Sequence, residues 1–222
     1  MTRAERPWGR MLRRLFERVP LETVFATFYR LNFWFNAESR SGPGSTMAIT
    51  RVIRGELPRL ARELGVRRLL DIPCGDFHWM KEVPLELDAY IGADVVGGMV
   101  EENQRRWGDD VHRFARLDVT RDELPRVDLV LCRDCLVHLP ERSVLAAIEN
   151  IKRSGSTHLL TTTFPLLEEN SDIPVPGLWR MINLERPPYD LPPPLELIDE
   201  GNTWKPHLYP QKSLGLWRIA DL

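Results

Sequence analysis

The sequence LLDIPCGDFHWM, residues 69–80, decides the fold. Its apolar start is typical of a buried strand, and Gly75 allows the chain to turn there and to approach a ligand closely. Four more short strand-like runs follow, at 89–95, 112–118, 127–133 and 157–164. Helix-length segments at 96–107 and 140–153 lie between them. Strands that alternate with helices predict a parallel sheet with crossovers on both faces.

The chain on either side of this core has a different pattern. Residues 8–35 carry apolar and aromatic side chains at helical spacing, and a further helix is predicted at about 46–64. Ten of the 18 prolines lie between residues 165 and 210, so this segment is rich in loops. Two late strand-like runs, 195–199 and 214–219, close the sheet as a hairpin. We therefore predict an α/β, Rossmann-like, doubly wound sheet of seven mostly parallel strands, with an antiparallel last strand and an N-terminal helical extension.

Composition and charge exclude several classes of protein. The 222 residues have a formal net charge of −2, which argues against a dedicated nucleic-acid-binding protein. Three cysteines are too few for a disulfide framework, and no run approaches the roughly 18 apolar residues of a membrane span. These features predict a cytoplasmic protein. Residues 1–36 nevertheless carry seven arginines against three glutamates, so this basic extension is a candidate for peripheral contact with an anionic membrane, for docking a partner, or for a homodimer face.

Acidic residues follow three successive strands of the predicted sheet. They are Asp71, Asp94 and Asp118, and ligands of such sheets bind beyond the carboxyl ends of the strands. Asp94 lies 19 residues beyond Gly75, a spacing that suits a carboxylate bonded to ribose hydroxyls. The single glycine and the charge of Asp76 argue against a pyrophosphate at this turn. The pattern favours a cofactor with an adenine, a ribose and a cationic tail, which is S-adenosyl-L-methionine.

The motifs themselves resemble those of class I S-adenosylmethionine-dependent methyltransferases. The motifs that carry the resemblance are LLDIPCGDFHWM, YIGADVV (90–96), LDVT (117–120) and DLVLCRDCLVHLP (128–140). They resemble in particular those of a bacterial subgroup whose first motif is D-x-P-C-G-D-F-x-W-M. The resemblance extends over roughly residues 38–219 and implies a methyltransferase domain at 37–222, after the extension at 1–36. The glycines of the loop SGPGST (41–46) permit it to close, so this loop is a candidate flap over the cofactor, and the alternative is a linker between two helices. The cofactor contacts that the resemblance implies are Asp71, Pro73, Cys74, Gly75, Asp94, Val95, Asp118, Val119 and Arg133.

His138 and Asp134 are the candidate catalytic residues beside the fourth strand. His138 has a side chain whose ordinary pKa of about 6.5 suits a general base, although it can equally pack against the helix that begins near Pro140. Asp134 is the alternative base, or it orients His138. Cys132-x-x-Cys135-x-x-His138 invites a metal site, but residues within a strand alternate faces, so we predict none.

The acceptor-binding residues are expected in the proline-rich segment after the fifth strand. Trp179, Arg180, Asn183 and Tyr189 there supply an aromatic wall, an anion-binding fork and an amide. If Arg133 and Arg180 both face the pocket, an anionic small molecule is the expected acceptor. We predict O-methylation of a hydroxyl or acidic oxygen in a small molecule, in a biosynthetic pathway for a natural product or a saccharide. The alternatives are an N-methyltransferase and a membrane- or partner-docking protein whose domain binds the cofactor without catalysis.

Overall fold

The computed structural model of the protein describes residue 11, residues 19–201 and residues 211–222. Apart from Met11, the predicted helical segment between residues 8 and 18 lies outside the described residues. Residues 19–201 contain four α-helices, α1 (Leu21–Arg30), α2 (Arg51–Leu64), α3 (Gly97–Trp107) and α4 (Glu141–Arg153). None of the helices in these stretches is long and apolar enough to span a bilayer.

A seven-stranded sheet forms the centre of the molecule. Its strands are β1 (Arg68–Asp71), β2 (Ala89–Asp94), β3 (His112–Arg116), β4 (Leu129–Cys132), β5 (His158–Thr163), β6 (Glu196–Asp199) and β7 (Ser213–Arg218). Their spatial order is β3-β2-β1-β4-β5-β7-β6, and only β7 runs antiparallel to its neighbours. The predicted Rossmann-like sheet with an antiparallel last strand is therefore confirmed. The strand order reverses between β1 and β4, which is where such folds bind ligands.

Alternation along the strands places one apolar cluster on each face of the sheet. In β1, Leu69 contributes to the cluster beneath α2, whereas the next residue, Leu70, contributes to the cluster beneath α4. All four residues of β4 are buried, as expected for a central strand covered on both sides. The core therefore holds the β1–β4 junction rigidly.

Helix α2 begins five residues later than the sequence predicted. Pro43–Ser45 form a short 3-10 turn, and the Thr46 and Thr50 hydroxyls donate to backbone carbonyl oxygens instead of leaving the segment free to extend the helix. The helix ends as predicted at Gly65, which adopts a left-handed conformation with φ +63°.

Helix α1 packs directly on the sheet domain. Leu21 and Phe25 lie against the apolar cluster beneath α4, and Glu22 forms an ion pair with Arg116 at the end of β3. The described part of the predicted extension thus shares its packing with the domain that was predicted to start at residue 37.

Candidate active site

A cavity of about 300 Å³ opens at the carboxyl ends of the central strands. All nine residues predicted to contact the cofactor line it, and so do His138, Asp134 and Trp179. The fold brings together side chains that are more than 100 residues apart in the sequence. The first three strand ends, the turn after β4 and the segment after β5 supply them.

The turn after β1 is built from buried polar contacts. The Tyr90 hydroxyl donates to Asp71 Oδ2 at 2.6 Å, and burial raises the pKa of the Asp71 carboxyl to about 7. Gly75 has φ +56°, and its carbonyl oxygen accepts a hydrogen bond from Asn103 Nδ2 at 2.8 Å. Asn103 on α3 therefore fixes the glycine turn, a role that the sequence did not predict.

Asp94 lies at the end of β2 with its carboxylate facing the cavity. Its oxygens accept hydrogen bonds from the backbone N–H groups of Val96 (3.0 Å) and Gly75 (3.3 Å). Burial nevertheless raises the pKa of this carboxyl to about 6, because these donors only partly replace lost water. The backbone of Gly75 and the side chain of Asp94 are thus joined directly.

Asp118 has a different environment at the end of β3. Its Oδ1 accepts from the backbone N–H and the hydroxyl of Thr120, and its Oδ2 pairs with Arg121 at 3.1 Å. Most of this carboxylate is therefore used within its own turn. Asp118 and Val119 line the cavity beside it.

The loop at residues 39–46 closes one side of the cavity. Ser39 donates to the Asp76 carboxylate, and Ser41 Oγ accepts from the Asp76 backbone N–H at 2.9 Å. A β-carbon added at Gly44 would lie 2.8 Å from Asp134 Oδ2, so only glycine fits in the loop as it stands. The loop is therefore held against both the β1 and the β4 turns.

Four charged side chains form a network beside the β4 turn. Arg133 Nε contacts Glu200 Oε1 at 2.5 Å, and Lys212 Nζ lies 2.7 Å from Asp134 Oδ2 and 2.9 Å from Glu200 Oε2. Burial acts to raise the pKa of Asp134, but Lys212 and Arg133 hold it at about 2. Asp134 is therefore ionised throughout the physiological range and is a very weak base.

Glu200 and Lys212 were not predicted from the sequence, although the fold explains where they lie. Glu200 follows β6, whose carboxyl end lies at the same sheet edge as those of the other parallel strands. Lys212 directly precedes β7, and an antiparallel strand starts at the edge where its parallel neighbours end. The acidic residue after LELID was a signal that could have identified Glu200.

His138 lies at the end of the short 3-10 turn Leu136–His138 that follows β4. Its Nδ1 lies 3.2 Å from the Leu178 carbonyl oxygen, so Nδ1 carries the proton in that hydrogen bond and Nε2 is the basic nitrogen. Burial lowers the pKa of His138, while the charge of Asp134 acts in the opposite direction. The imidazole is accordingly neutral near pH 7.

Helix α1 and the segment after it cover one side of the cavity. Leu21, Phe25, Tyr29 and Trp34 all line it, and the Trp34 and His138 rings lie 5.9 Å apart. The sequence predicted an amphipathic segment here but not the surface against which it packs.

Two solved structures show which fold this arrangement shares. Human N-acetylserotonin methyltransferase in complex with S-adenosylmethionine matches with a TM-score of 0.59 and 14% sequence identity, over 90% of this chain and 60% of that one. The N-methyltransferase NodS from Bradyrhizobium japonicum WM9, in complex with S-adenosyl-L-homocysteine, matches with a TM-score of 0.51 and 18% identity, over 63% of this chain and 74% of that one. The chain has the fold of the class I methyltransferases. It spans less than two thirds of the human chain. No protein-family model and no curated protein sequence matches it.

Three residues that were predicted to bind the acceptor do not line the cavity of this methyltransferase fold. Arg180 donates to the Leu139 carbonyl oxygen at 2.7 Å and to the Tyr189 hydroxyl at 3.0 Å, and it is 6% exposed. Asn183 donates to the carbonyl oxygens of Pro165 and Leu167. Arg180 and Asn183 thus bind backbone carbonyl oxygens in the loops after β4 and β5, and the Tyr189 hydroxyl supports the Arg180 guanidinium. The three side chains hold those loops in place.

The three cysteines lie in the turn after β1 (Cys74), at the end of β4 (Cys132) and in the turn that follows β4 (Cys135). Cys132 is buried within β4, whereas Cys135 lies past the strand and lines the cavity. Within the part of the chain that the structure describes, no group of three or more His, Cys, Asp or Glu side chains could hold a metal ion.

Proposed function

We propose that the protein is an S-adenosylmethionine-dependent methyltransferase that methylates an oxygen atom of a small molecule. The observation that carries this proposal is the cavity at the β1–β4 junction. There the Gly75 turn, the Asp94 carboxylate and the neutral His138 face one enclosed space. The fold shared with methyltransferase structures supports it.

The residues around the cavity fit the cofactor at both ends. Asp94 has only backbone donors and can accept further hydrogen bonds from ribose hydroxyls. Arg133 is 5% exposed, and its Nη2 has no hydrogen-bond partner, so this donor is available to the carboxylate of an amino-acid tail. Leu21, Phe25 and Val119 supply apolar contacts for an adenine. When bound, S-adenosylmethionine supplies a methyl group that its sulfonium has already activated.

His138 is the residue best suited to remove a proton from the acceptor. The Leu178 carbonyl oxygen fixes the ring orientation and leaves Nε2 basic, while burial keeps the ring neutral. Asp134, with its pKa of about 2, instead contributes a fixed negative charge that stabilises the imidazolium formed when His138 takes a proton.

The remaining contribution of the chain is alignment and the exclusion of water. Helix α1 and the loop at 39–46 cover the cavity, and Arg40 stacks over the Tyr29 ring at 5.6 Å, which joins these two covers. An enclosed site strengthens the electrostatic contacts within it and holds the reacting atoms in line.

Calorimetric titration with S-adenosylmethionine and S-adenosylhomocysteine tests the proposal. We expect both to bind the wild type, and we expect Asp94→Ala to weaken binding by at least about tenfold, the loss of one charge-assisted hydrogen bond. Asp88→Ala, which removes an exposed carboxylate just before β2, at the opposite end of that strand from Asp94, is the matched control. Absence of binding to the wild type would refute the proposal.

A second role, peripheral contact with an anionic membrane, is favoured by exposed apolar residues after α1. Leu31 and Phe35 are 69% and 87% exposed, and the preceding sequence is rich in arginine. Co-sedimentation with phosphatidylserine vesicles should decrease in the double variant Leu31→Ser, Phe35→Ser. Equal pelleting of variant and wild type would exclude this role for the two side chains.

A further inference from the structure

The side of the cavity that holds His138 is lined by aromatic rings. Trp34 packs against His138, and Phe164 packs edge-on against Trp179 with ring centroids 5.8 Å apart. The two pairs adjoin, because His138 bonds to the carbonyl of Leu178, the residue before Trp179. All four rings line the cavity. This surface therefore offers flat apolar faces around one basic nitrogen.

The charges along the lining do not favour an anion. Among the lining residues that the structure describes, the cations are Arg133 and Lys212, and both are paired with Asp134 and Glu200 in the buried network. The unpartnered Nη2 of Arg133 is the donor proposed above for the carboxylate of the cofactor. Four aspartates also line the cavity, namely Asp71, Asp94, Asp118 and Asp134. Asp118 and Asp134 have cationic partners, and burial raises the pKa of Asp71 to about 7, so that it is only partly ionised at neutral pH. Asp94, which has only backbone donors, therefore adds a carboxylate that no cation offsets. Arg180, which would have favoured an anionic acceptor, is bonded to the backbone away from the cavity. An acceptor that carried a negative charge would thus approach paired cations and a surplus of carboxylates.

We propose that the acceptor is an uncharged, planar aromatic hydroxyl compound whose ring lies between Trp34 and Trp179 with its hydroxyl at His138. This inference rests on the methyltransferase function proposed above and names the substrate class of the same site. Aromatic rings gain from edge and face contacts with other rings beyond the burial of their area, so a planar ring fits this surface better than a saturated one.

The reaction balances with the groups that the site provides. The acceptor hydroxyl gives its proton to His138 Nε2, and its oxygen forms a bond to the methyl carbon as the methyl–sulfur bond breaks. The electron pair of that bond stays on sulfur. The products are an aryl methyl ether and S-adenosylhomocysteine, and His138 returns the proton to water. An aromatic hydroxyl is more acidic than an aliphatic one, which suits a single imidazole base.

Binding of three probes of similar size to the protein saturated with S-adenosylhomocysteine tests the substrate class. They are 2-naphthol, its saturated analogue decahydro-2-naphthol, and the anion 2-naphthoate. We expect 2-naphthol to bind at least about tenfold more tightly than decahydro-2-naphthol, as two ring contacts would provide. It should also bind more tightly than 2-naphthoate, whose ring is the same but whose charge meets the carboxylates of the lining. With S-adenosylmethionine in place of the product, 2-naphthol should yield 2-methoxynaphthalene.

Variants of Trp34 and Trp179 test whether these two rings cause the preference for an aromatic acceptor. Trp34→Leu and Trp179→Leu should each abolish most of the preference for 2-naphthol over decahydro-2-naphthol. Trp34→Phe should retain this preference because an aromatic ring remains. Trp107→Leu is the matched control, since Trp107 is 37% exposed, as Trp179 is, and lies outside the cavity lining. We expect all variants to bind S-adenosylhomocysteine like the wild type, and this binding serves as the control that each variant is folded.

Two results would overturn the inference while leaving the methyltransferase function intact. One is binding of S-adenosylhomocysteine together with equal or tighter binding of 2-naphthoate or the saturated alcohol. The other is the absence of 2-naphthol binding to the protein loaded with S-adenosylhomocysteine. Failure of S-adenosylhomocysteine itself to bind the wild type would instead refute the proposed function.

Discussion

Arg133 Nη1 donates a hydrogen bond to the carbonyl oxygen of Gly44 at 2.9 Å, so a buried guanidinium at the end of β4 holds the loop that closes the cavity. The same guanidinium lies over the Trp79 ring at 5.5 Å and pairs with Glu200. The loop, the first motif and the segment after β6 are therefore linked through one side chain. A displaced loop should affect ligand binding more than folding.

Gly44→Ala should weaken binding of S-adenosylhomocysteine by about tenfold. The added β-carbon would lie 2.8 Å from Asp134 Oδ2, and overpacking of this kind costs about 1–2 kcal/mol. Gly55→Ala on α2 is the control, because a β-carbon there meets nothing within 4 Å and alanine favours the helix by about 1 kcal/mol. Calorimetry and thermal unfolding of both variants provide the comparison. Unchanged affinity in Gly44→Ala would mean that the loop does not contribute to the closed site.

Affinity for S-adenosylhomocysteine should fall as the pH is lowered through about 6. The Asp94 carboxyl has its pKa raised to about 6 by burial, and only its ionised form is a full acceptor for ribose hydroxyls. Affinity should therefore be constant above that pH and decrease below it, by at most about tenfold per pH unit. Asp94→Asn should bind weakly with no such decrease, and Asp88→Asn should follow the wild type. A decrease that persists in Asp94→Asn would assign the titration to another group.

His138→Gln should lower turnover by about 10²- to 10³-fold without changing affinity for S-adenosylhomocysteine, which is the usual contribution of a general base. Because burial lowers the pKa of His138, wild-type turnover should hold down to pH values below the ordinary 6.5 of histidine and then decline as the imidazole is protonated. The pH profile of the variant should lack this decline of turnover at low pH. His158→Asn is the control, since burial lowers the pKa of His158 as well but the residue lies at the start of β5, remote from the cavity. Equal turnover of His138→Gln and wild type would leave His138 with a packing role.

The strand-end residues could be predicted from the sequence, whereas the cover of the cavity could not. Asp71, Asp94 and Asp118 lie next to one another because parallel strands end at one sheet edge, a rule that needs only the strand pattern. Trp34 and Lys212 reach the same cavity through tertiary packing, and no local pattern shows which surface an amphipathic segment covers. Arg180 shows the opposite case. Its residue type suggested an anion site, but the nearest hydrogen-bond acceptors turned out to be backbone carbonyl oxygens.

Arg180→Met should destabilise the protein and leave the kinetics unchanged. Methionine retains much of the volume but leaves the Leu139 carbonyl oxygen and the Tyr189 hydroxyl without their donor, at a cost of about 2–3 kcal/mol. For a domain of this size the melting temperature should fall by about 4–10 °C. Arg218→Met, whose guanidinium is exposed, should change neither property. A raised KM for the acceptor in Arg180→Met would show that this arginine contributes to acceptor binding.

The double variant Leu21→Ser, Phe25→Ser should bind S-adenosylhomocysteine about tenfold or more weakly, because both side chains line the cavity and pack on the apolar cluster beneath α4. Replacing them removes apolar contact worth about 1–2 kcal/mol each, part of which is lost from ligand binding. Leu31→Ser with Phe35→Ser makes the same chemical change on the same segment, but at exposed positions outside the lining, so its affinity should equal that of the wild type. Calorimetry with S-adenosylhomocysteine on both double variants tests whether α1 contributes directly to the cofactor site. Equal affinity in the two double variants would show that α1 covers the cavity without contributing to binding.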